Sequence, residues 1–402
     1  MSPEVSIVIP VFNQASFTGA CLKALAADED LRARGEVIVV NNGSTDETGE
    51  VLRAAQAEFP ALQVVHLDTN TGFAPASNLG AERARAPRLV MLNNDTIPQP
   101  GWLTALENAL DLPRAGLVGP KLIYPHSGLI NHGGYVHGAI AGGFYGLYHC
   151  FPADFAGVNR RRDFQALLGA CFMLSAATFR EVGGFGDFGL EDIDLCFKIR
   201  ARGLRVIYEP RAVVLHHGSV TLKNSAPGSL PTADTLEFST RWPKETSIVN
   251  DDAIFYSEDG FKLLGMSGDA PELEEAITAS TRSHEIANHL IAAGNHRAAE
   301  PHLLSATSGW LGNTAAWSDL LGLYIEQGRL PEALETGQLM IRHLGTPEVR
   351  LLVADLYRQV GQPAVAREVV AEILADRGAD PEDMARARGI AARCTGPTPG
   401  SG

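Results

Sequence analysis

The apolar positions of the first hundred residues fall into four short runs, each stopped by polar side chains. Val5 to Val11 is rich in β-branched residues and ends at Pro10-Val11-Phe12-Asn13. Glu36 to Val40 runs into Asn41-Asn42-Gly43-Ser44-Thr45-Asp46, and Gln63 to Leu67 leads into Asn70-Thr71-Gly72-Phe73-Ala74. Leu89-Val90-Met91-Leu92 stops at Asn93-Asn94-Asp95-Thr96. Runs of this length predict buried strands, and the stretches between them carry helical spacing, at Ala20, Leu22 and Leu25 and again from about Ala76 to Arg85. Alternating strand and helix predicts a mostly parallel sheet covered on both faces. The loops after the first, second and fourth strands then share the edge beyond the carboxyl ends, where open sheets bind ligands.

Further along, Gly116 to Phe155 is rich in Gly, His and Tyr and reads as irregular strands and loops covering that edge. His132, His137 and His149 lie there without a metal-ligand spacing. Gln165 to Leu174 reads as a strand with Gly169 at its centre, the mark of a bulge or a close approach. Ala176 to Val182 reads as a helix ending at Gly183-Gly184. Ile193, Cys196 and Phe197 then have helical spacing, which puts Glu191 and Asp192 at a helix start and Arg200, Arg202 and Gly203 at its end. Carboxylates at a helix start stabilise by about 0.3–1 kcal/mol. Three acids (Glu191, Asp192, Asp194) in four residues exceed what capping needs and repel one another unless a cation or a protonated group lies nearby. Arg205–Tyr208 and Ala212–Leu215 predict two short strands, the second ending in His216-His217-Gly218-Ser219.

From Asn224 to about Ser280 the chain turns rich in Pro, Ser, Thr and Asp, which predicts a return loop, a helix or two and a linker. Beyond it the composition becomes Ala-, Leu- and Glu-rich and repeats. Gly294-Asn295-His296-Arg297-Ala298-Ala299-Glu300 recurs at Gly328 and again at Gly361, a period of about 33–34 residues. Trp317, Leu320, Leu321 and Tyr324 match the first helix of a tetratricopeptide unit, with Ala333 on the second. Three copies suffice for a stable stack of helical hairpins.

Charge sharpens this picture. The 402 residues hold 33 Lys+Arg against 47 Asp+Glu, a net charge of -14, which excludes a nucleic-acid partner on electrostatic grounds. An acidic protein that holds an anionic nucleotide needs a cation or helix N-termini to do so. No GxGxxG opens the first helix, so a metal on Asp95 is the natural candidate. Five cysteines without a CxxC pair read as reduced thiols in a cytosolic protein. No stretch approaches about 18 consecutive apolar residues, so any membrane contact is peripheral.

Val5–Asn13, Val39–Asp46, Asn70–Gly80, Leu92–Thr96, Gly169-Ala170-Cys171, Gly183-Gly184-Phe185, Glu191–Cys196 and His216-His217-Gly218 together resemble family 2 glycosyltransferases of the rhamnosyltransferase-like branch. The blocks occur in that family's order over roughly residues 1–240. The resemblance implies a GT-A, Rossmann-like α/β fold, a nucleotide-diphosphate sugar donor, a divalent cation (Mg²⁺ or Mn²⁺) and inversion at the anomeric carbon. By motif, Pro10, Val11 and Asn13 border the nucleobase and ribose, Asn41 or Asn42 meets the base, and Asn78 lies near the diphosphate or ribose. Asn93-Asn94-Asp95 takes the place of the family's Asp-x-Asp, with Asp95 as metal ligand and His216 or His217 beside the metal. Asp192 matches the catalytic base, with Glu191 orienting the acceptor. Asn41-Asn42 stands where Asp-Asp is commoner, Asn93 where the first Asp is, and Gly186-Asp187-Phe188-Gly189 where an acid-aromatic run is usual.

These observations predict a glycosyltransferase domain over 1–245, a linker over 246–280, tetratricopeptide-like all-α repeats over 281–395 and a flexible tail over 396–402. The enzyme is expected to be cytoplasmic or peripheral at the inner face of a membrane. A UDP- or dTDP-sugar would be its donor and a glycan or protein hydroxyl its acceptor. The repeats offer a surface for a protein partner or self-association. Two other classes compete. A sugar nucleotidyltransferase would need a Gly-rich basic triphosphate loop that is not found near residue 12. A non-catalytic adaptor acting through the repeats would not need Asp95 and the Glu191-Asp192 pair.

Overall fold

The structure, a computed structural model, describes residues 2–59, 61–186, 190–218, 232–267, 270–343, 345–375 and 380–394. Among these, residues up to 218 together with 232–255 form one compact unit, and those from 256 onward a second. Asp187 to Gly189 of the acid-aromatic comparison and the tail over 396–402 lie outside the described residues.

The first unit begins as the alternation predicts: β1 (Val5–Val11), α1 (Ala15–Ala27), α2 (Glu29–Arg34), β2 (Gly35–Asn42), α3 (Thr48–Glu58), β3 (Leu62–Leu67), α4 (Phe73–Arg83) and β4 (Arg88–Leu92). There follow β5 (Thr96–Pro98), α5 (Trp102–Leu110), β6 (Ala115–Ile123), β7 (Ile130–His132), β8 (Tyr135–His137), β9 (Phe144–Gly146), β10 (Arg162–Asp163), β11 (Cys171–Ser175), α6 (Ala176–Glu181), α7 (Glu191–Arg200) and β12 (Arg205–His216). The main sheet has the order β10-β12-β6-β11-β4-β1-β2-β3. It is parallel across β4-β1-β2-β3 and mixed beyond, because β11 runs antiparallel between β4 and β6. Ile7, Ile9, Val37, Val39, Val90 and Leu92 form one core face with Leu22, Leu25, Leu52, Leu103 and Leu106 of the covering helices. The alternate residues Val8, Ile38, Val40 and Met91 are as deeply buried on the other face, where α4 packs. Burial of both faces is why these strands read as continuous apolar runs.

Three predicted elements are corrected. At the start of Gly116 to Phe155, expected to be irregular strands and loops, lies β6, a regular interior strand of the main sheet over Ala115–Ile123. Its Gly119 and Pro120 hid it, since both are depleted in central strands. A Cβ on Gly119 would stand 2.8 Å from Leu167 Cδ1, and Pro120 sits where the β12 pairing shifts register, between Glu209 and Val213. The strand expected over 165–174 is confined to Cys171–Ser175. The two strands expected over 205–208 and 212–215 are one, β12.

Three short helices follow, α8 (Thr232–Arg241), α9 (Lys244–Ser247) and α10 (Asp252–Glu258). The second unit opens with a hairpin of β13 (Leu263–Ser267) and β14 (Ala270–Leu273). Seven helices come next: α11 (Glu274–Ala292), α12 (His296–Thr307), α13 (Thr314–Glu326), α14 (Leu330–His343), α15 (Pro347–Gln359), α16 (Pro363–Ala375) and α17 (Pro381–Arg393). The repeated glycines have one job. Gly294, Gly328 and Gly361 sit between successive helices at φ of 73°, 69° and 77°, the left-handed conformation that ends a helix. Trp317, Leu320, Leu321 and Tyr324 line the buried side of α13, and Ala333 is buried on α14. Among the described residues, no helix is long and apolar enough to cross a membrane.

Candidate active site

Because β1, β2 and β4 run parallel in register, Phe12-Asn13, Asn41-Asn42 and Asn93-Asn94-Asp95 emerge on one edge. Pro10 and Val11 pair with Val40 and Asn41 at that end of β1. Asn13 holds a left-handed backbone (φ 58°), takes the Thr45 N–H on its Oδ1 at 2.8 Å and donates its own N–H to Ser44 Oγ at 2.8 Å. Asn41 Oδ1 accepts the Ser44 N–H at 3.1 Å, and its amide nitrogen lies 3.3 Å from His66 Nδ1. Asn42 is saturated. Its Nδ2 donates to Asn70 Oδ1 and the Gly72 carbonyl, and its Oδ1 accepts from the N–H and hydroxyl of Thr71. With four of four side-chain hydrogen-bonding positions used, Asn42 ties two loops together. Asn78 clamps the Phe185 backbone, accepting its N–H and donating to its carbonyl at 3.0 Å each.

The loop after β4 has a different character. Asn94 donates to Thr18 Oγ1 at 3.0 Å, and the Asn93 carbonyl accepts from Thr96 Oγ1 at 2.6 Å. β5 pairs antiparallel with the end of β12, Thr96 opposite His216, so the residue before β5 meets the residues that end β12. Asp95 Oδ1 consequently lies 3.4 Å from His216 Nε2, and the His217 N–H donates to the Asp95 carbonyl at 3.1 Å. Both Asp95 and His216 are buried, and neither Asp95 Oδ1 nor His216 Nε2 has a hydrogen-bond partner among the described residues. The other imidazole nitrogen, His216 Nδ1, is 2.8 Å from Asn131 Oδ1. Burial works against the Asp95 charge, but His216 and His217 outweigh it and hold its carboxyl below the usual range. His217 packs its ring 4.7 Å from that of Phe17. Burial chiefly pushes its pKa down to about 4, against the pull of Asp95. Of the two candidate histidines, His216 therefore faces the carboxylate side chain.

Asp192 reaches the same edge through a single segment. The Asn93 N–H donates to the Ala170 carbonyl at 2.9 Å, and the adjacent Gly169 N–H donates to Asp192 Oδ2 at 3.0 Å. Asp192 Oδ1 accepts the Ile193 N–H at 2.8 Å. Burial raises the Asp192 pKa above its ordinary 3.8, only partly offset by these backbone donors. Glu191 precedes it at the helix start, half-buried. Asp194 belongs to the core: fully buried, it contacts Lys198 Nζ at 2.7 Å, Arg241 Nη1 at 3.1 Å and Trp242 Nε1 at 2.9 Å. The repulsion foreseen in the acidic cluster is relieved by protein cations on Asp194. His132 is likewise structural, accepting the Leu168 N–H at 3.0 Å, with burial driving its pKa to about 3. No sequence motif contained Asn131 or Thr18; each is an ordinary polar residue whose partner lies far along the chain.

A buried carboxylate–imidazole pair and a second, half-buried carboxylate thus lie at the carboxyl edge of the sheet, where open α/β sheets bind ligands. Residues 6–140 match the family model of glycosyl transferase family 2. The chain is 29% identical over 245 residues to the O-antigen biosynthesis protein RfbC of Myxococcus xanthus, covering 58% of this chain and 18% of that protein. It is 28% identical over 236 residues to the N-acetylglucosaminyl-diphospho-decaprenol L-rhamnosyltransferase of Mycobacterium tuberculosis, covering 52% and 76%. A solved structure of GalNAc-T7 with UDP, GalNAc and Mn²⁺ aligns with a TM-score of 0.49 and 16% identity over 64% of this chain and 51% of that one. The chain spans a quarter or less of the length of two of the curated relatives it matches, 25% and 18%.

Proposed function

We propose that this chain is a metal-assisted, inverting glycosyltransferase that moves a hexosyl or deoxyhexosyl group from a UDP- or dTDP-sugar to a hydroxyl of a glycan or protein acceptor. The observation that carries this reading is the pair Asp95 Oδ1 and His216 Nε2, buried, 3.4 Å apart and bonded to nothing else among the described residues. A buried carboxylate oxygen and a buried imidazole nitrogen with no other partner are the kind of pair a cation can join. One carboxylate with one imidazole suits Mn²⁺ better than Mg²⁺, which favours oxygen ligands. The match of residues 6–140 and the relatives' names support a sugar as the transferred group.

Asp95 and His216 would hold the cation, which when bound supplies counter-charge to a leaving diphosphate. Pro10, Val11, Asn13 and Asn41 border the nucleobase and ribose, and Asn93 and Asn94 flank the donor. Asp192 takes the proton from the acceptor hydroxyl as that oxygen attacks the anomeric carbon, and its raised pKa makes it a stronger base than an exposed carboxylate. Glu191 orients the acceptor. The hairpins over 281–395 act as tetratricopeptide-like repeats that recruit a protein acceptor or partner. We place the enzyme in the cytoplasm, peripheral to the membrane's inner face.

A thermal-shift screen of UDP-, dTDP- and GDP-sugars, with Mn²⁺ or with chelator, tests the reading on the full chain. A UDP- or dTDP-sugar should raise Tm only with Mn²⁺, since a ligand at 100 times its Kd stabilises by about 2.7 kcal/mol. Equal stabilisation in excess chelator, or after Asp95→Ala, overturns it.

A further inference from the structure

We infer that Asn131 is the positioning residue that makes Asp95 and His216 a cation site instead of a hydrogen-bonded couple. The inference rests on the metal reading above and deepens it. A neutral imidazole carries one proton, and the partner of one ring nitrogen decides which nitrogen holds it. Asn131 Oδ1, an acceptor, lies 2.8 Å from His216 Nδ1. The proton therefore sits on Nδ1, and Nε2 presents its lone pair to the space beside Asp95 Oδ1. Were the carbonyl absent, the proton on Nε2 could be donated to Asp95 Oδ1, 3.4 Å away. That couple would satisfy both groups and remove the reason to bind a cation.

The backbone around Asn131 is shaped for this contact. In the antiparallel pairing of β6 with β7, Leu122 faces His132 and Ile123 faces Ile130, so Asn131 is the extra residue of a bulge. Bulges re-aim a side chain that regular pairing would direct elsewhere. Asn131 is 5% exposed, and its backbone carbonyl accepts from His149 Nδ1 at 2.8 Å, a second anchor 18 residues along the chain. Side chain and main chain are thus both held, and the amide oxygen is delivered to His216. Partners one bond removed from a metal typically contribute 10–100-fold to its affinity in this way.

Calorimetric titration of the metal-free full-length protein with Mn²⁺, checked by the electron paramagnetic resonance of unbound Mn²⁺, tests the assignment. Asn131→Leu removes the acceptor at similar volume and should weaken Mn²⁺ binding by about 10–100-fold. Asn131→Asp keeps an oxygen in place and should bind within a few-fold of wild type or more tightly. ¹⁵N spectra of histidine-labelled protein should find the His216 proton on Nδ1 in wild type and on Nε2 in Asn131→Leu. Wild-type Mn²⁺ affinity in Asn131→Leu, or an equal loss in Asn131→Asp, overturns the inference while leaving the metal site standing. Wild-type protein that takes up no Mn²⁺, or takes it up equally after Asp95→Ala, overturns the metal assignment and this inference with it. Should Asn131→Leu not fold, the wild-type spectrum decides: a proton on Nε2 in the metal-free protein refutes the role.

Discussion

Gly169 and Asp192 are fitted to each other: the Gly169 N–H donates to Asp192 Oδ2 at 3.0 Å, and a Cβ on Gly169 would stand 2.9 Å from Asp192 Cβ. That gap is closer than carbon atoms tolerate, and the obstructing atom is too near the backbone to swing aside. Gly169→Ala should therefore displace the Asp192 carboxylate and leave the loops after β1 and β2, proposed to meet the donor, untouched. A misplacement of about 1 Å can cost as much as 10²-fold in rate. Turnover should fall by one to two decades, about that range, while the Mn²⁺-dependent Tm shift with donor stays at the wild-type value. Unchanged turnover would separate Asp192 from the chemistry.

A carboxylate acts as a base only when ionised, and burial has raised the pKa of Asp192, the proposed base, above 3.8. The acid limb of kcat/KM should therefore rise at a pH above the ordinary aspartate value. Asp192→Asn should abolish that limb and lower turnover by about 10²–10⁴-fold. Stability runs in the opposite sense. A raised folded-state pKa favours the fold below the unfolded value, and that contribution is lost as pH rises through the folded one. A pH–rate profile beside a pH–Tm profile reads both.

Asp194, two residues away, predicts the reverse pattern. Its buried carboxylate holds Lys198, Arg241 and Trp242, so Asp194→Ala strands their donors. Breaking a buried ion pair from one side costs about 3–5 kcal/mol. Chemical denaturation should find a loss of that order, with turnover per folded molecule close to wild type. A variant as stable as wild type but inactive would move the catalytic role onto Asp194.

Glu36 tests the frame of the sheet. Burial opposes its charge, but donors from Ser6 and Arg85 outweigh it and hold its pKa below 4.5. A depressed carboxylate contributes stability that is present above the unfolded pKa and lost as pH falls through the folded one. Wild type should lose stability below about pH 4.5, the unperturbed value, more steeply than Glu36→Gln. Parallel acid curves for the two proteins would refute this.

The parallel half of the sheet and the helical repeats were legible in the sequence because each rests on local periodicity. Strands buried on both faces must be apolar throughout, so β1, β2 and β4 announced themselves, and the repeated glycines marked their turns. Asp95 and the paired histidines stood out as an acid and imidazoles placed just past apolar runs, and Asp192 as one of three acids at a helix start. β6 stayed hidden because its Gly and Pro residues answer to packing and to a register shift, and both depend on residues more than 40 positions away.

What the amino-acid order determined by itself was the alternating strands and helices up to β4 and the edge on which their polar loops emerge, since hydrophobic period is a local property. What only the tertiary structure decided was which of those polar residues remain available. Asn42, Asn78 and Asp95 each stand in a motif block of the same resemblance, yet the first is saturated by neighbouring loops and the second clamps a backbone. His216 and His217 are adjacent in sequence, yet the pairing of β5 with β12 turns His216 to the Asp95 side chain. Asn131, 85 positions before His216, holds the imidazole's other nitrogen. Hydrogen-bond partners are chosen by proximity in space, and no period along a chain encodes contacts across such distances.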